Sequence, residues 1–261
     1  MMRDENILEV SDLRVWFPIK KGIFSRTSGY VKAVDGVSFK LRRGETLGVV
    51  GESGSGKSTV ARVITGLQMP TAGSFKLDGR VAMVFQDPLG SLNPRMTVRA
   101  TLEEAGKRNG CFRTSGEDAA SPLGDAASPL ELLEIVGLDG TALDKYPHEL
   151  SGGQRQRICI ARAVALKPEL LICDEAVSAL DLSIRAQVLD LLENLKRKLG
   201  LSLLFITHDL GVVQHIADRV LVMNCGKAIE EGPCGQVLRA PRERYTRYLI
   251  SSVPKIGKPL T

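Results

Sequence analysis

Hydrophobic and polar positions along the chain follow two alternating periods. Short apolar runs without polar alternation, such as TLGVV at 46–50 and LSLLFIT at 201–207, are typical of buried parallel strands. Between such runs apolar residues recur at helical spacing, and in residues 182–199 they share one face that leaves Glu193 and Lys196 mostly outside. The apolar members of that face are Ile184, Val188, Leu191, Leu192, Leu195 and Leu199. This alternation predicts an α/β domain with a mainly parallel sheet covered on both faces.

The less regular segments are predicted from their proline, glycine and polar positions. ILEVSDLRVWFP favours a strand that ends at Pro18, and VKAVDGVSFKLRRGE favours a second strand. VAMVFQDP favours a short strand that ends at Gln86, and TVRATLEEAGKR favours a surface helix. DAASPLGDAASPL at 118–130 repeats a seven-residue unit, and its Ser, Pro, Gly and Ala content predicts a mobile surface insertion.

Composition narrows the class of protein without naming a function. A chain of 261 residues is at the upper end of single-domain size. The net charge of +5 is dispersed, so we expect no nucleic-acid partner. The five cysteines lack metal-ligand spacing, which favours reduced thiols in a cytosolic protein. An acidic start without signal-peptide character and the lack of a long apolar run predict a cytoplasmic chain.

The stretch GESGSGKST at 51–59 matches the phosphate-binding pattern G-x-x-x-x-G-K-[ST]. It follows an apolar strand and opens a helix, so its backbone N–H groups can point at phosphates beside a positive helix N-terminus. Lys57 would reach the β- and γ-phosphates, and the Ser58 hydroxyl would coordinate Mg²⁺. The predicted nucleotide-binding residues are Gly51, Ser53, Gly54, Ser55, Gly56, Lys57, Ser58 and Thr59.

A second part of a nucleotide site is predicted at the end of LLICDE. This buried strand delivers Asp174 to the carboxyl edge of the sheet, where ligands of open α/β folds bind. Asp174 would hold Mg²⁺ through water, and Glu175 would polarise a water molecule for attack on the γ-phosphate. Two acidic residues at a strand end often only mark a solvated end of the strand. The presence of the glycine-rich stretch in the same chain favours the catalytic interpretation.

The stretch LSGGQRQR at 150–157 begins another helix with a serine and two glycines. Its exposed backbone amides form a potential second anion site, to which Ser151 adds a hydroxyl donor. Gly152 and Gly153 carry no side chains that would block close approach of an anion. The alternative is that Ser151 only caps its own helix.

Taken together, these motifs resemble those of the ATP-binding-cassette ATPases, from about Leu8 to Arg247 and in the family's order. GESGSGKST resembles the Walker A motif, VFQDP the Q-loop, LSGGQ the signature, LLICDE Walker B, SALD the D-loop and ITHD the switch histidine. The resemblance implies a P-loop NTPase cassette with a mainly parallel RecA-like core, an N-terminal antiparallel β subdomain and a helical signature subdomain. The implied parts are a core with β subdomain (7–86 and 168–233), a helical subdomain (87–167) with a flexible insertion near 109–130, and a C-terminal extension (234–261).

The resemblance also implies roles for individual residues. Two cassettes would pack head to tail, so that the signature of one covers the ATP held by the Walker A motif of the other. Gln86 would sense Mg²⁺ and the attacking water, and His208 would contact the γ-phosphate. An aromatic residue of the first strands would stack on adenine; Phe17 is our choice, with Trp16 and Tyr30 as rivals. The residues implied to act in trans are Ser151, Gly152, Gly153, Gln154 and Asp181.

Within the family, MVFQDPLGSLNPRMTV and PRERYTRYLISSVP most resemble ATPase subunits of dipeptide, oligopeptide and nickel importers. The implied partners are a second cassette, identical or different, two transmembrane permease subunits that receive residues 86–100, and indirectly an extracytoplasmic solute-binding protein. Such a subunit would lie peripherally on the cytoplasmic face of the inner membrane. Ala176 stands where proline is usual, and the cysteine-containing tail of many peptide-importer ATPases is missing. The missing tail leaves nickel or metallophore uptake open.

Two other classes of function are weighed against a transport ATPase. One is a soluble cassette ATPase that acts on DNA or ribosomes; a single signature and the lack of a heptad run argue against it. The other is a regulatory module that binds ATP without hydrolysing it. Glu175 and His208 argue against that module.

Overall fold

The structure is a computed structural model that describes residues 5–21, 26–108 and 128–252. The chain divides into two compact units. The first consists of Met1–Leu8, Leu41–Glu45 and Leu77–Leu204, and the second of Glu9–Lys40, Thr46–Lys76 and Phe205–Thr261. We describe each unit by itself.

The N-terminal sheet, most of which lies in the second unit, has three strands in the order β2, β1, β4. They are β1 (Asn6–Lys21), β2 (Arg26–Arg42) and β4 (Ala72–Leu77). The predicted end of β1 at Pro18 is wrong, because the strand continues to Lys21. On the β4 side the Trp16 N–H donates to Thr71 Oγ1, one residue before β4 begins. Pro18 lies two residues beyond that bond, inside the strand.

The remaining strands of the second unit surround a glycine-rich turn. β3 (Thr46–Val50) is fully buried and leads through that turn into α1 (Lys57–Ile64). β3 pairs in parallel with β8 (Arg219–Asn224), and β8 pairs antiparallel with β9 (Lys227–Pro233). Three helices complete this unit: α7 (Leu210–Ile216), α8 (Cys234–Arg239) and α9 (Arg244–Ser251). Their apolar side chains form a cluster with the end of β3, made of Val50, Leu210, Val213, Val220, Val222, Cys234, Val237 and Leu249.

The first unit holds a parallel strand pair and most of the helices. β5 (Val81–Val84) pairs with β6 (Leu170–Asp174) in register from Val81 with Leu170 to Val84 with Cys173. β5 therefore ends two residues before the predicted end at Gln86. β7 (Ser202–Thr207) begins in this unit and ends in the second.

The helices of the first unit lie along the chain between β5 and β7. They are α2 (Pro88–Ser91), α3 (Val98–Arg108), α4 (Pro129–Ile135), α5 (Gly152–Val164) and α6 (Leu182–Leu199), with short 3-10 turns at Gly140–Asp144 and Pro147–Glu149. The predicted apolar face of α6 is confirmed at its centre, because Val188, Leu191, Leu192 and Leu195 are buried. Most of the predicted insertion near 109–130 lies outside the described residues, and within 128–130 Ser128 caps α4.

Within the described ranges, no helix combines the length and apolar character needed to cross a bilayer. The four cysteines in those ranges are free thiols, and only Cys225 is exposed. Burial raises the pKa of the Cys173 thiol to about 12, so this side chain in β6 is an uncharged core residue. Cys111 lies outside the described residues.

Candidate functional site

The turn between β3 and α1 is a loop that only glycine can close at its key position. We call residues 51–59 the phosphate loop. Gly56 has φ of 102° and is the N-cap of α1, and a Cβ there would lie 2.2 Å from the Ala33 carbonyl oxygen. Such a contact is prohibited, so the glycine is required for the backbone to pass this point. The first N–H groups of α1 are thereby left at the mouth of the loop, as anion binding requires.

Lys57 is almost fully buried and its ammonium is turned onto the loop itself. Nζ donates to the carbonyl oxygens of Gly51 and Glu52, both at 2.7 Å, and to Ser55 Oγ at 3.2 Å. A buried cation needs such partners because desolvation of an unpaired charge is costly. Phosphate oxygens are stronger acceptors than peptide carbonyls, so an anionic ligand in the loop can replace them around Nζ.

The outer side of the phosphate loop is held by segments far away in the sequence. The Gly226 N–H, in the turn between β8 and β9, donates to the Ser55 carbonyl at 3.1 Å. The Glu52 N–H donates to the Tyr245 hydroxyl of α9 at 3.3 Å. The loop is therefore fixed from outside by two elements that no phosphate-binding motif identifies.

The end of β6 brings together two residues that were predicted separately. Gln86 Nε2 donates to Glu175 Oε2 at 3.0 Å. Asp174 is 7% exposed, at the last position of the strand. Glu175 has φ of 49°, a left-handed value that non-glycine residues rarely adopt and that costs about 1–3 kcal/mol. This turn directly follows the last residue of the strand, and alanine rather than proline stands at position 176.

The signature helix α5 begins with a reciprocal capping box. Ser151 Oγ accepts the Gln154 N–H at 3.3 Å, and Gln154 Oε1 accepts the Ser151 N–H at 2.9 Å. Ser151 thus caps its own helix, and its role in trans stays a prediction. Ser151 and Gly152 are exposed, whereas Gly153 is buried, and a Cβ at Gly153 would lie 2.6 Å from Ile184 Cγ2. Gly153 therefore serves close packing of α5 on α6 within the chain.

Asp181 lies in the first unit and His208 in the second. Asp181 is exposed at the N-cap of α6, where its carbonyl accepts the Arg185 N–H at 2.8 Å. His208 is exposed directly after β7. Both positions leave the side chain accessible to a ligand or a second subunit.

The three aromatic candidates for adenine stacking differ in how far they are already engaged. Trp16 Nε1 donates to Asp35 Oδ1 at 3.1 Å, and the Lys32 ammonium lies 4.4 Å from the centroid of the Trp16 ring. Tyr30 packs beside Trp16 with ring centroids 6.2 Å apart. Phe17 is 40% exposed and points to the opposite face of β1, because successive strand residues alternate. Phe17 stays our prediction for the stacking residue.

The residues predicted for Mg²⁺ suit that ion. Across residues 5–21, 26–108 and 128–252 no group of three His, Cys, Asp or Glu side chains could form a self-contained metal cage. Mg²⁺ in nucleotide sites is instead held by one or two protein oxygens, water and the substrate phosphates. The Ser58 hydroxyl and the Asp174 carboxylate are donors of this kind, with Gln86 as the predicted third.

Comparison with known proteins identifies the family. The sequence profile described as ABC transporter matches residues 34–178, which include the phosphate loop, the signature and Walker B. The chain belongs to the ABC transporter family. The oligopeptide transport ATP-binding protein AppF of Bacillus subtilis is 48% identical, over 97% of this chain and 80% of that protein. The dipeptide transport ATP-binding protein DppF of Escherichia coli is 45% identical, over 96% of this chain and 77% of that protein.

Solved ABC structures share the fold. A dimeric ATP-binding cassette in a post-hydrolysis state with ADP and Pi has a TM-score of 0.70 and 27% identity, over 87% of this chain and 98% of that one. An ADP-bound cassette of an ABC transporter has a TM-score of 0.73 over 95% and 99% of the two chains, and at 24% identity it supports the fold alone. The predicted family and the predicted fold class, an ABC cassette with a mainly parallel core and an antiparallel β subdomain, are confirmed.

Proposed function

We propose that this cassette hydrolyses ATP to energise an ABC importer of dipeptides or oligopeptides. The observation that carries the hydrolytic part is the contact between Gln86 and Glu175, which places an amide on the carboxylate that would activate water. The peptide assignment is supported by AppF and DppF, whose names state oligopeptide and dipeptide transport. Nickel or a metallophore stays the alternative cargo.

Each part of the reaction is assigned to groups of this chain. The phosphate loop would bind the ATP phosphates through backbone N–H groups and Lys57, while Phe17 would stack on adenine. Glu175 would accept a proton from the attacking water, and Gln86 would orient the Glu175 carboxylate and that water. Ser58 and Asp174 would offer oxygen donors to Mg²⁺, which supplies positive charge beside the phosphates when bound. His208 would contact the γ-phosphate from the end of β7.

A second cassette would complete the site. The exposed Ser151 and Gly152 at the start of α5 would contact ATP bound to the partner, and exposed Asp181 would lie in the same interface. The dimeric relative with ADP and Pi supports a paired cassette. ATP liganded by both subunits binds the closed dimer better than the open one, so binding would favour closure and hydrolysis would release it. The partner would be an identical or a different cassette.

The segment 86–100 would receive the permease subunits at the cytoplasmic face of the membrane. Asn93, Pro94 and Arg95 are exposed, and Leu89 is 52% exposed, as a docking surface requires. Ser91 lies in this segment, and its carbonyl accepts a hydrogen bond from the Arg162 guanidinium of α5, while its hydroxyl lies 3.2 Å from Cys159 Sγ. Force applied to the segment would therefore reach the signature helix directly.

The test is ATP hydrolysis by Glu175→Gln, assayed with the partner cassette present. Glutamine keeps the size and can still accept from Gln86, but it cannot take a proton from water. We expect hydrolysis to fall by about 10²-fold or more while ATP binding is retained, as for loss of a general base.

Glu134→Gln is the matched control, because Glu134 is an exposed glutamate of the same unit on α4. It should hydrolyse ATP at the wild-type rate. Equal turnover in wild type and Glu175→Gln would contradict the catalytic assignment and favour the module that binds ATP without hydrolysing it.

A further inference from the structure

Helix α9 contacts the phosphate loop through the side chain of Tyr245. The Tyr245 hydroxyl accepts the Glu52 N–H at 3.3 Å, across 193 residues of sequence. Tyr245 is in the first turn of α9, and its ring packs against the cluster that contains Val50, the residue before the loop. The contact therefore joins a C-terminal element to the second residue of the loop.

Glu52 is bonded on both sides of its Cα. Its N–H donates to Tyr245, and its carbonyl accepts from Lys57 Nζ at 2.7 Å. Because only φ and ψ separate these two groups, fixing both leaves the residue little freedom. The sequence of contacts from Tyr245 through Glu52 to Lys57 thus links the hydroxyl of α9 to the ammonium of the phosphate site.

Helix α9 is itself held in place at its start. The Glu230 carboxylate of β9 accepts the N–H groups of Arg242 at 2.9 Å and Glu243 at 3.1 Å. Leu249, one turn beyond Tyr245, is buried in the same apolar cluster. A hydroxyl carried by an element fixed in this way can position its partner, whereas one on a loose terminus could not.

We propose that Tyr245 is a positioning residue of the ATP site. Its hydroxyl holds the Glu52 peptide so that the loop is already shaped for phosphate and Lys57 is held at its mouth until phosphate oxygens replace the two carbonyls. Burial raises the pKa of the Tyr245 hydroxyl, so it stays protonated throughout the physiological range. The proposal rests on the proposed ATP site and adds the C-terminal helix to it.

The experiment compares Tyr245→Phe with Tyr248→Phe in the full chain with its partner cassette. Both variants lose one hydroxyl from the same helix, and Tyr248 is 57% exposed. Phenylalanine keeps the packing of the ring, so the fold should survive. We expect the KM and Kd for ATP of Tyr245→Phe to rise about 2- to 10-fold, the range for loss of one hydrogen bond. The kcat at saturating ATP should stay within about twofold of wild type, and Tyr248→Phe should match wild type throughout.

A direct readout is hydrogen exchange of the Glu52 amide, followed by NMR without nucleotide. In wild type and Tyr248→Phe this amide should be protected, and in Tyr245→Phe it should exchange faster while the amides of β3 keep their protection. A merely structural role of the side chain would change protection across the unit instead.

Lys57→Ala distinguishes a failure of the proposed ATP site from a failure of the positioning role of Tyr245. If Lys57→Ala binds ATP as wild type does, the ATP site itself is wrong. If Lys57→Ala loses binding but Tyr245→Phe keeps the wild-type KM, or lowers kcat with KM unchanged, the positioning role is overturned. Unchanged exchange of the Glu52 amide in Tyr245→Phe would overturn it as well.

Discussion

Ser151 has a structural role and a proposed catalytic role that do not exclude each other. Its oxygen accepts the Gln154 N–H as a helix cap. A hydroxyl that accepts through its oxygen can still donate its proton to another acceptor. The cap therefore leaves one donor to direct at a phosphate of the partner's nucleotide.

Removal of the hydroxyl tests whether it does more than cap. Ser151→Ala and Ser128→Ala remove the same kind of cap from α5 and α4, because both serines belong to capping boxes. Each should lower the free energy of unfolding by about 1 kcal/mol. Only Ser151→Ala should also slow ATP hydrolysis in the assembled pair. Equal activity of the two variants would limit Ser151 to its cap.

Spacing alone predicted the motif residues but not the residues that hold the phosphate loop from outside. The glycine pattern predicts Lys57 because phosphate chemistry requires that residue at that spacing. Tyr245 and Gly226 bind the loop through hydrogen bonds between segments far apart in the sequence. No local pattern in PRERYTRYL or NCGKA predicts a contact with residue 52 or 55. Their contribution becomes visible only when the folded backbone is known.

Among the elements, α9 shows how a short helix is attached by charge as well as by packing. Burial by itself raises the pKa of Glu230, but the N–H groups of Arg242 and Glu243 bond to the carboxylate and bring the pKa below its ordinary value. A lowered pKa means that the ionised form stabilises the fold. This stabilisation is present above the unfolded pKa of about 4.5 and is lost as the pH falls through the folded value.

Glu230→Gln should therefore destabilise the chain in a pH-dependent way. At about pH 7 we expect the free energy of unfolding to fall by about 1 kcal/mol, a value reduced for the exposure of the site. As the pH falls below about 4.5 the wild type loses its advantage and the two proteins should converge. Urea unfolding across this range measures the difference. Glu243→Gln, which alters an exposed carboxylate at the start of α9, should show no such convergence.

The elements that sequence patterns predicted are those whose apolar residues follow one clear pattern. β3, β6 and α6 have continuous apolar runs or a clear helical face, and all three lie where they were predicted. β9, with the sequence KAIEEGP, carries only two apolar residues before its glycine and is a strand because β8 offers a partner. β1 runs past Pro18 to Lys21 as the central strand of its sheet, between β2 and β4. Such tertiary effects have no local signature.

For the whole molecule, the exposed start of α5 predicts assembly that depends on nucleotide. Glu175→Gln with its partner cassette, or alone if the cassettes are identical, should form a stable dimer in ATP and separate in ADP. Light scattering after size-exclusion chromatography measures this difference.

A second substitution identifies the surface that forms the dimer. Adding Ser151→Arg to Glu175→Gln should prevent the ATP-dependent dimer, because a long charged side chain would occupy the place of the partner's phosphate. Adding Ser128→Arg, which disturbs the equivalent cap of α4, should leave the dimer intact. Dimers that form equally in ATP and ADP, or that persist with Ser151→Arg, would contradict the head-to-tail arrangement.

The sequence predicted the family and the fold of the whole molecule but left the cargo open between peptides and nickel. Motifs in a fixed order along the chain define a cassette, since each supplies one part of a single reaction. In the proposed importer other subunits would bind the cargo, so no side chain of this chain would record its chemistry. Relatives named for oligopeptide and dipeptide transport supply the peptide assignment instead.

The packing around Trp16 also has a practical consequence. The chain contains one tryptophan, held between the Asp35 carboxylate and the Lys32 ammonium and adjacent to Phe17. Its fluorescence is therefore an intrinsic signal from a single known position, and movement of either charge on nucleotide binding would alter the emission. Titration of the unlabelled protein can thus supply the dissociation constants on which the variants above are compared.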